Sequence, residues 1–257
     1  HPNLEIEMIN EENYFFKFSK YQGPLLQLYK EQKSFVVPEH RLNEIRSFVE
    51  RGLTDFSISR LKEKMAWGVP VPGDETQVMY VWFDALVNYI SCLGWPDEKF
   101  SEWWPSLQFA GKDNLRQQSA MWQAMLLSAK IPTSKQIMIH GFLTSEGKKM
   151  SKSMGNVVDP FALVDKYSAD AVRYFLARHI NPFEDSDYTE QRMHEAYTAD
   201  LANGLGNLVS RVTNMVEKYC DGVYTRTPLL GDGTKDQIHV AVTNYRFDEA
   251  LGQIWKL

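Results

Sequence analysis

Apolar positions along the chain change their period several times, and each change marks an element. Residues 1–75 read as short helices and turns. After Pro38, Leu42, Ile45, Phe48 and Val49 recur at helical spacing and predict a helix over Glu39–Val49. Pro70-Val71-Pro72-Gly73-Asp74 reads as a rigid turn. Gln77–Phe83 alternates and is rich in Val and aromatics, which predicts a strand. Asp84 is placed to cap a following helix through Ala85, Leu86, Tyr89 and Ile90. A loop rich in Trp and Pro runs from Gly94 to Pro105. A short strand, Leu107–Ala110, then leads into Gly111-Lys112-Asp113 and a helix over Asn114–Ala129. Gln136–Leu143 is the next predicted strand.

This alternation of strand and helix predicts a parallel α/β sheet. Ligands of such sheets bind beyond the carboxyl ends of the strands. Asp84, Gly111-Lys112-Asp113 and the loop after Leu143 are all expected there. From Asp159 the pattern becomes helical. Asp159-Pro160 opens one helix with proline at the first position, and Ser168–Arg178 forms a second. Thr189–Tyr219 reads as a long helical stretch interrupted at Gly204 and Gly206. Leu201, Leu205, Leu208, Val212 and Met215 form its apolar stripe. A polar loop over Asp221–Lys235 precedes a last amphipathic helix from near Asp236.

Composition narrows the class. The chain has 257 residues, 44% of them hydrophobic and 13% aromatic, which excludes a disordered tail. A net charge of −5 excludes a general phosphate binder, though a local basic loop can still bind phosphate. Cys92 and Cys220 form no metal-binding pair or disulfide framework, so a reducing, cytoplasmic compartment is expected and no metal site. No apolar run is long enough to span a bilayer, and the N-terminus does not read as a signal peptide. The start at His1 and the stop after Ile254-Trp255-Lys256-Leu257 look like cuts at both ends.

The sharpest chemistry lies in Gly147-Lys148-Lys149-Met150-Ser151-Lys152-Ser153-Met154-Gly155-Asn156. Lysine ammoniums neutralise charge on a departing phosphate chain. Hydroxyls and backbone N–H groups add donors, and glycines permit close approach. As charge alone, the run reads equally well as a solvated basic turn. The order Lys149-Met150-Ser151-Lys152-Ser153 resembles the signature loop of class I aminoacyl-tRNA synthetases. Tyr80-Val81-Trp82-Phe83-Asp84-Ala85, Ser57-Ile58-Ser59-Arg60, Trp67–Asp74 and Asn13–Tyr21 resemble segments of the bacterial-type methionyl-tRNA synthetases, in the same order.

That resemblance implies a fold and a reaction. The fold is the second half of a Rossmann-like parallel-sheet catalytic domain, then a truncated all-α anticodon-binding bundle. The expected boundaries are 1–143, 144–187 for the signature loop and stem-contact helices, and 188–257. The reaction is ATP-dependent joining of methionine to tRNA(Met) through methionyl-adenylate, with Mg2+ accompanying ATP. Zinc is expected only in a part of the family's fold that precedes this chain, and His1-Pro2 is read as the pair following its last cysteine.

By resemblance, Lys152 and Lys149 contact the phosphates within Lys149, Met150, Ser151, Lys152 and Ser153, and Arg60 is directed at them. Trp82, Ala85 and Tyr89 match the methionine pocket, where aromatics suit a thioether. Ala85 and Tyr89 lie one helical turn apart, beside Trp82 at the expected strand end. Gly111, Lys112 and Asp113 match the nucleotide turn, with Asp113 either hydrogen-bonding the ligand or capping the next helix. His140 and Gly141 match the strand end beside adenine. Asn207 and Arg211, four apart, match anticodon contacts. One departure stands out. Where the family has an aliphatic residue, phenylalanine and histidine, this chain has Asn114, Gln117 and Gln118. Asn114, Gln118, Met121 and Met125 are expected on one helix face. A class I synthetase of another specificity and a non-catalytic tRNA-binding relative are the competing readings.

The family's His-x-Gly-His signature for ATP does not occur in these residues. The 257 residues alone are therefore expected not to catalyse methionine-dependent ATP–pyrophosphate exchange. Exchange by the isolated chain would refute this.

Overall fold

The computed structural model describes residues 10–97, 99–225 and 232–256, the side chains of Lys152 and Asp232 apart. His1-Pro2 and the middle of the loop expected over Asp221–Lys235 lie outside the described residues. The chain divides into two compact units, His1–Ile139 and His140–Leu257.

In the first unit the predicted periodicity becomes burial. Helices Gln22–Glu31 and Glu39–Glu50 turn Leu25, Tyr29, Leu42, Ile45 and Val49 fully inward. Each such side chain contributes about 1.5–3 kcal/mol through burial. They pack with Phe35, Val36, Ile137 and Ile139 in one core. Strand Val36–Val37 pairs in parallel with Gln136–His140, Val36 opposite Ile137. Leu107–Gly111 flanks Gln136–His140 on its other edge. Ile137, Met138 and Ile139 are all buried, as expected for a strand covered on both faces. The architecture is thus mixed α/β with a parallel strand pair.

Three expectations change here. The strand predicted over Gln77–Phe83 is Asp74–Met79, and it belongs to a separate antiparallel sheet with Ser59–Leu61 and Pro70–Val71. Helix Val81–Ser91 begins immediately afterwards, because Phe83 and Asp84 donate their N–H groups to the Tyr80 carbonyl. Trp82 is therefore in a first helical turn and not at a strand end. Asp84 lies in that turn too and is no cap, since Tyr80 occupies the cap position. The strand predicted over Gln136–Leu143 stops at His140, and Leu143–Ser145 joins another sheet. The expected convergence of three loops on one sheet's carboxyl edge therefore does not form, because Asp84 follows a strand of a separate sheet and Leu143 belongs to another.

The second unit holds a small sheet, with Leu143–Ser145 central. Lys148–Lys149 pairs with it antiparallel, and Ser186–Tyr188 pairs with it parallel. Helix Pro160–Tyr167 begins as predicted, with the Asp159 carboxylate accepting from Phe161 N–H. Ser168 caps helix Ala169–His179. Tyr167, Ala171, Val172, Phe175, Tyr188 and Met193 form the core.

Gly204 and Gly206 do not interrupt the long helical stretch. Helix Glu190–Ala196 runs into a widened π-helical segment, Tyr197–Gly206, and on into helix Asn207–Cys220. Of the predicted stripe only Leu201 packs against the core, whereas Leu205, Leu208, Val212 and Met215 are exposed. The last predicted helix is two, Asp232–Thr243 and Phe247–Ile254. Tyr245, at φ 59°, sits in the left-handed region between them.

Glu190 ties this unit together at an exposed position. Its carboxylate accepts from Lys166 Nζ, and from the hydroxyls of Tyr167 and Tyr188 at 2.8 Å each. The Lys166 bond, then those two hydroxyls, hold the Glu190 carboxyl well below its usual range, at about 2. A depressed carboxyl stabilises the fold above its unfolded pKa near 4.5, and that share is lost as pH falls toward 2. Because the pair is solvent-screened, the expected effect is about 1 kcal/mol or less. Glu190→Gln should lower the urea midpoint by a constant amount above pH 5, with the gap to the unsubstituted chain closing as pH approaches about 2. A gap independent of pH throughout would contradict this.

Candidate functional site

In the first unit the helix after Gly111-Lys112-Asp113 is not the regular one expected. Lys112–Asn114 is a 3-10 turn, Gln117–Met121 is π-helical, and the α-helix is Trp122–Ser128. Asn114, Gln118, Met121 and Met125 therefore do not form an α-helical stripe. Gln118, Ser119, Ala120 and Trp122–Leu126 are buried on all sides. Asp113 is exposed and caps no helix.

A π turn widens the backbone ring and needs partners for its carbonyls. Two side chains supply them. The buried Tyr29 hydroxyl donates to Ser119 O at 2.6 Å, and burial pushes its pKa far up. Gln123, fully buried, donates Nε2 to Gln118 O at 2.9 Å and to Ser134 Oγ at 3.0 Å. Its Oε1 accepts from Ser134 N–H at 3.0 Å, and Ser134 Oγ donates to Gln108 Oε1 at 2.8 Å. Gln123 was not among the residues the sequence singled out. A lone glutamine amid Trp, Ala, Met and Leu was the available signal.

Gln118 donates Nε2 to the Tyr89 hydroxyl at 2.6 Å. The Oε1 atoms of Gln117 and Gln118 are buried and have no partner within the protein. Trp82, Ala85 and Tyr89, spaced three and four apart, share one face of helix Val81–Ser91. Trp82 and Ala85 are exposed and Tyr89 is half-buried.

A 470 Å³ cavity opens beside this helix, lined among others by Arg60, Tyr80, Trp82, Arg116, Gln117 and Met121. Among the described residues no Asp or Glu lines it. Arg60, on strand Ser59–Leu61, lies 4.6 Å over the Tyr80 ring and donates to Ser57 Oγ and Ser59 O at 2.7 Å each. Arg116 lies 4.6 Å over the Phe48 ring. Two guanidiniums thus line this cavity. Arg116 was missed in the sequence, where it reads as an ordinary charged helix position. Ala85, Tyr89, Asn114 and Gln118 do not line the cavity. Nor do Gly111, Lys112 and Asp113.

In the second unit, His140 is exposed, with Nδ1 2.8 Å from Gly141 O. Gly141 is required by the chain itself, since a Cβ there would lie 2.2 Å from Glu184 O. The signature run is built on a hairpin and is not one open loop. Lys148 and Lys149 pair with Ser145 and Thr144. Glu146 and Gly147, both at positive φ, make the two-residue turn that suits strand twist. Asp187 ties the hairpin down, its Oδ1 accepting from Thr144 Oγ1 at 2.6 Å and Gly147 N–H at 2.7 Å. These bonds, Thr144 first, hold the Asp187 carboxyl below its usual range.

Lys149 Nζ lies 4.7 Å over the Phe142 ring, and Met150 packs on the core. Ser151 Oγ and Ser153 Oγ are 2.7 Å apart. The Lys152 side chain lies outside the described residues. Asn207 and Arg211 are exposed on the first turns of helix Asn207–Cys220. Among the described residues no group of three or more His, Cys, Asp or Glu is placed to hold a metal ion. No helix among them is long and apolar enough to cross a membrane.

The family model for class I tRNA synthetases (M) matches residues 3–213. A methionine–tRNA ligase of Thermosynechococcus vestitus is 50% identical over 229 residues, covering 86% of this chain and 43% of that protein. One of Mesorhizobium japonicum is 48% identical over 246 residues, covering 94% and 47%. The solved Mycobacterium tuberculosis methionyl-tRNA synthetase bound by methionyl-adenylate superposes with a TM-score of 0.88 at 40% identity, over 96% of this chain and 51% of that one. The chain spans less than half the length of these curated relatives.

Gln123→Leu strips partners from the Gln118 carbonyl and from Ser134 together. It is expected to destabilise the fold by about 2–4 kcal/mol, read by urea unfolding. A loss under about 1 kcal/mol would mean the π turn does not depend on this amide.

Proposed function

The chain belongs to the class I tRNA synthetases (M), and from that premise we propose that it is part of an enzyme that activates methionine with ATP and transfers it to tRNA(Met). The observation that carries this reading is the run Lys149-Met150-Ser151-Lys152-Ser153, held on a hairpin tied by Asp187, in a chain of this family.

In the first step a methionine carboxylate oxygen bonds to the α-phosphorus of ATP. The bond from that phosphorus to the bridging oxygen breaks, and pyrophosphate leaves. Charge builds on the leaving group, so cations placed there favour the transition state over the ground state. By resemblance, Lys149 and Lys152 fill this role and Arg60 is directed at phosphate. Arg116 lines the same cavity as Arg60 and adds to its positive field. Mg2+ is expected to arrive with ATP. The described residues offer it no cluster of three or more His, Cys, Asp or Glu.

Trp82, Ala85 and Tyr89 present an aromatic and small face for the methionine thioether, since sulfur–aromatic contacts are favourable. Gln118 takes the place of the family's histidine and orients Tyr89 through its 2.6 Å bond. Asn114 borders this pocket in the reading. Gly111, Lys112, Asp113, His140 and Gly141 serve the nucleotide, and Asn207 and Arg211 the anticodon. Exposure of that amide and guanidinium, one turn apart, supports base-edge reading. In the second step a tRNA ribose hydroxyl attacks the adenylate's carbonyl carbon and AMP departs.

One observation favours a different amino acid. The unpaired Oε1 atoms of Gln117 and Gln118 can accept from a substrate donor that methionine's side chain lacks. Amino-acid-dependent ATP–pyrophosphate exchange by the whole protein decides between them. Methionine should be preferred, and preference for another amino acid would overturn the reading. Lys152→Ala should lower kcat about 100- to 1,000-fold while methionine binding stays unchanged. An unchanged exchange rate would favour the non-catalytic, tRNA-binding alternative.

A further inference from the structure

Between Lys149 and Asn156 the chain of the second unit makes one tight excursion and returns. Lys152–Met154 is a 3-10 turn, closed by Met154 N–H donating to Ser151 O at 3.1 Å. Gly155, at φ 65°, turns the backbone back through the left-handed region. Asn156 then reaches across the mouth of the excursion. Its Oδ1 accepts from Ser151 N–H at 2.9 Å, and its Nδ2 donates to Lys149 O at 3.2 Å. One planar amide thus ties both backbone segments that flank Met150.

The chemistry of this clasp is specific. It needs a donor and an acceptor on one short side chain. Aspartate has the shape but would set a carboxylate oxygen against the Lys149 carbonyl. Alanine leaves both backbone groups without the amide. The flanks are held by other means. Lys149 pairs with Thr144 in the hairpin, Met150 packs on the core, and Asp187 secures the turn. None of these bonds the Ser151 N–H, which the Asn156 amide holds immediately before Lys152.

We propose that Asn156 is a positioning residue for adenylate formation, its amide fixing the backbone from which Lys152 meets the departing pyrophosphate. This rests on the methionine-activation reading above. Asn156 touches no reacting atom in this scheme and acts through Lys152. A displacement of a catalytic group by about 1 Å can cost on the order of 100-fold in rate. The loss should fall on kcat, because the clasp acts on the backbone of the residue assigned to the leaving pyrophosphate and on none of the residues assigned to methionine.

The test is methionine-dependent ATP–pyrophosphate exchange by the whole protein. Asn156→Ala and Asn156→Asp should each lower kcat about ten- to a hundredfold, with the methionine KM changed less than about twofold. In a Lys152→Ala background the Asn156→Ala loss should disappear, since the residue it positions is gone. Full kcat in both Asn156 variants, a KM rising in step, or losses that multiply in the double variant would each overturn the proposal. Should Asn156→Ala not fold, as judged by its melting transition, the isosteric Asn156→Asp carries the test. An unsubstituted protein without methionine-dependent exchange would overturn the methionine reading instead, a result distinct from a failure of Asn156.

Discussion

A widened helical turn in the interior has to find partners for its own backbone, and the first unit is arranged around that need. Over Gln117–Met121 the chain leaves α geometry where water cannot repair it. An unpaired buried carbonyl costs about 1–3 kcal/mol, a large fraction of a domain's stability. Tyr29 and Gln123 remove that penalty from two carbonyls, and Gln123 extends the repair to Ser134 and Gln108. The same turn delivers Gln118 to the hydroxyl of Tyr89. A polar network inside an apolar core thereby holds the hydroxyl of Tyr89 on helix Val81–Ser91. Buried networks of this kind are costly when half-satisfied and rigid when complete.

The second unit solves a different problem, how to present lysines without letting them wander. A lysine side chain carries about 2 kcal/mol of rotamer entropy, so its position must be set largely by the backbone beneath it. The hairpin turn, the Asp187 tie and the packed Met150 fix that backbone on one side of the signature run. Glu190, held by Lys166, Tyr167 and Tyr188, secures the helices behind it. Phosphate chemistry gains from such preorganisation, because cations already in place need no reorganisation as charge develops.

Much of this was legible in advance. The Leu42, Ile45 and Val49 period gave the second helix, and Asp159-Pro160 marked a true start. The order of residues in the signature run pointed to the family. Other features were hidden for physical reasons. The strand near Val78 ends early because Tyr80 turns into a helix through its own carbonyl, a choice invisible in an alternating pattern. The close approach of the Glu184 backbone to Gly141, from forty-three positions later, is likewise invisible in the sequence. Arg116 and Gln123 carried no periodic signal, since their importance comes from Phe48, far away in sequence, and from Ser134, beyond the end of helix Trp122–Ser128.

The sequence by itself determined the local chemistry: the capped helix start at Asp159-Pro160, turn residues, and the identity and spacing of the lysines and serines. Those properties follow from backbone sterics and side-chain type within a few positions. Tertiary structure alone decided which polar groups are buried together, where the helix widens, and which glycine the chain itself requires. Those depend on contacts between residues distant along the chain, whose free energies no local pattern contains.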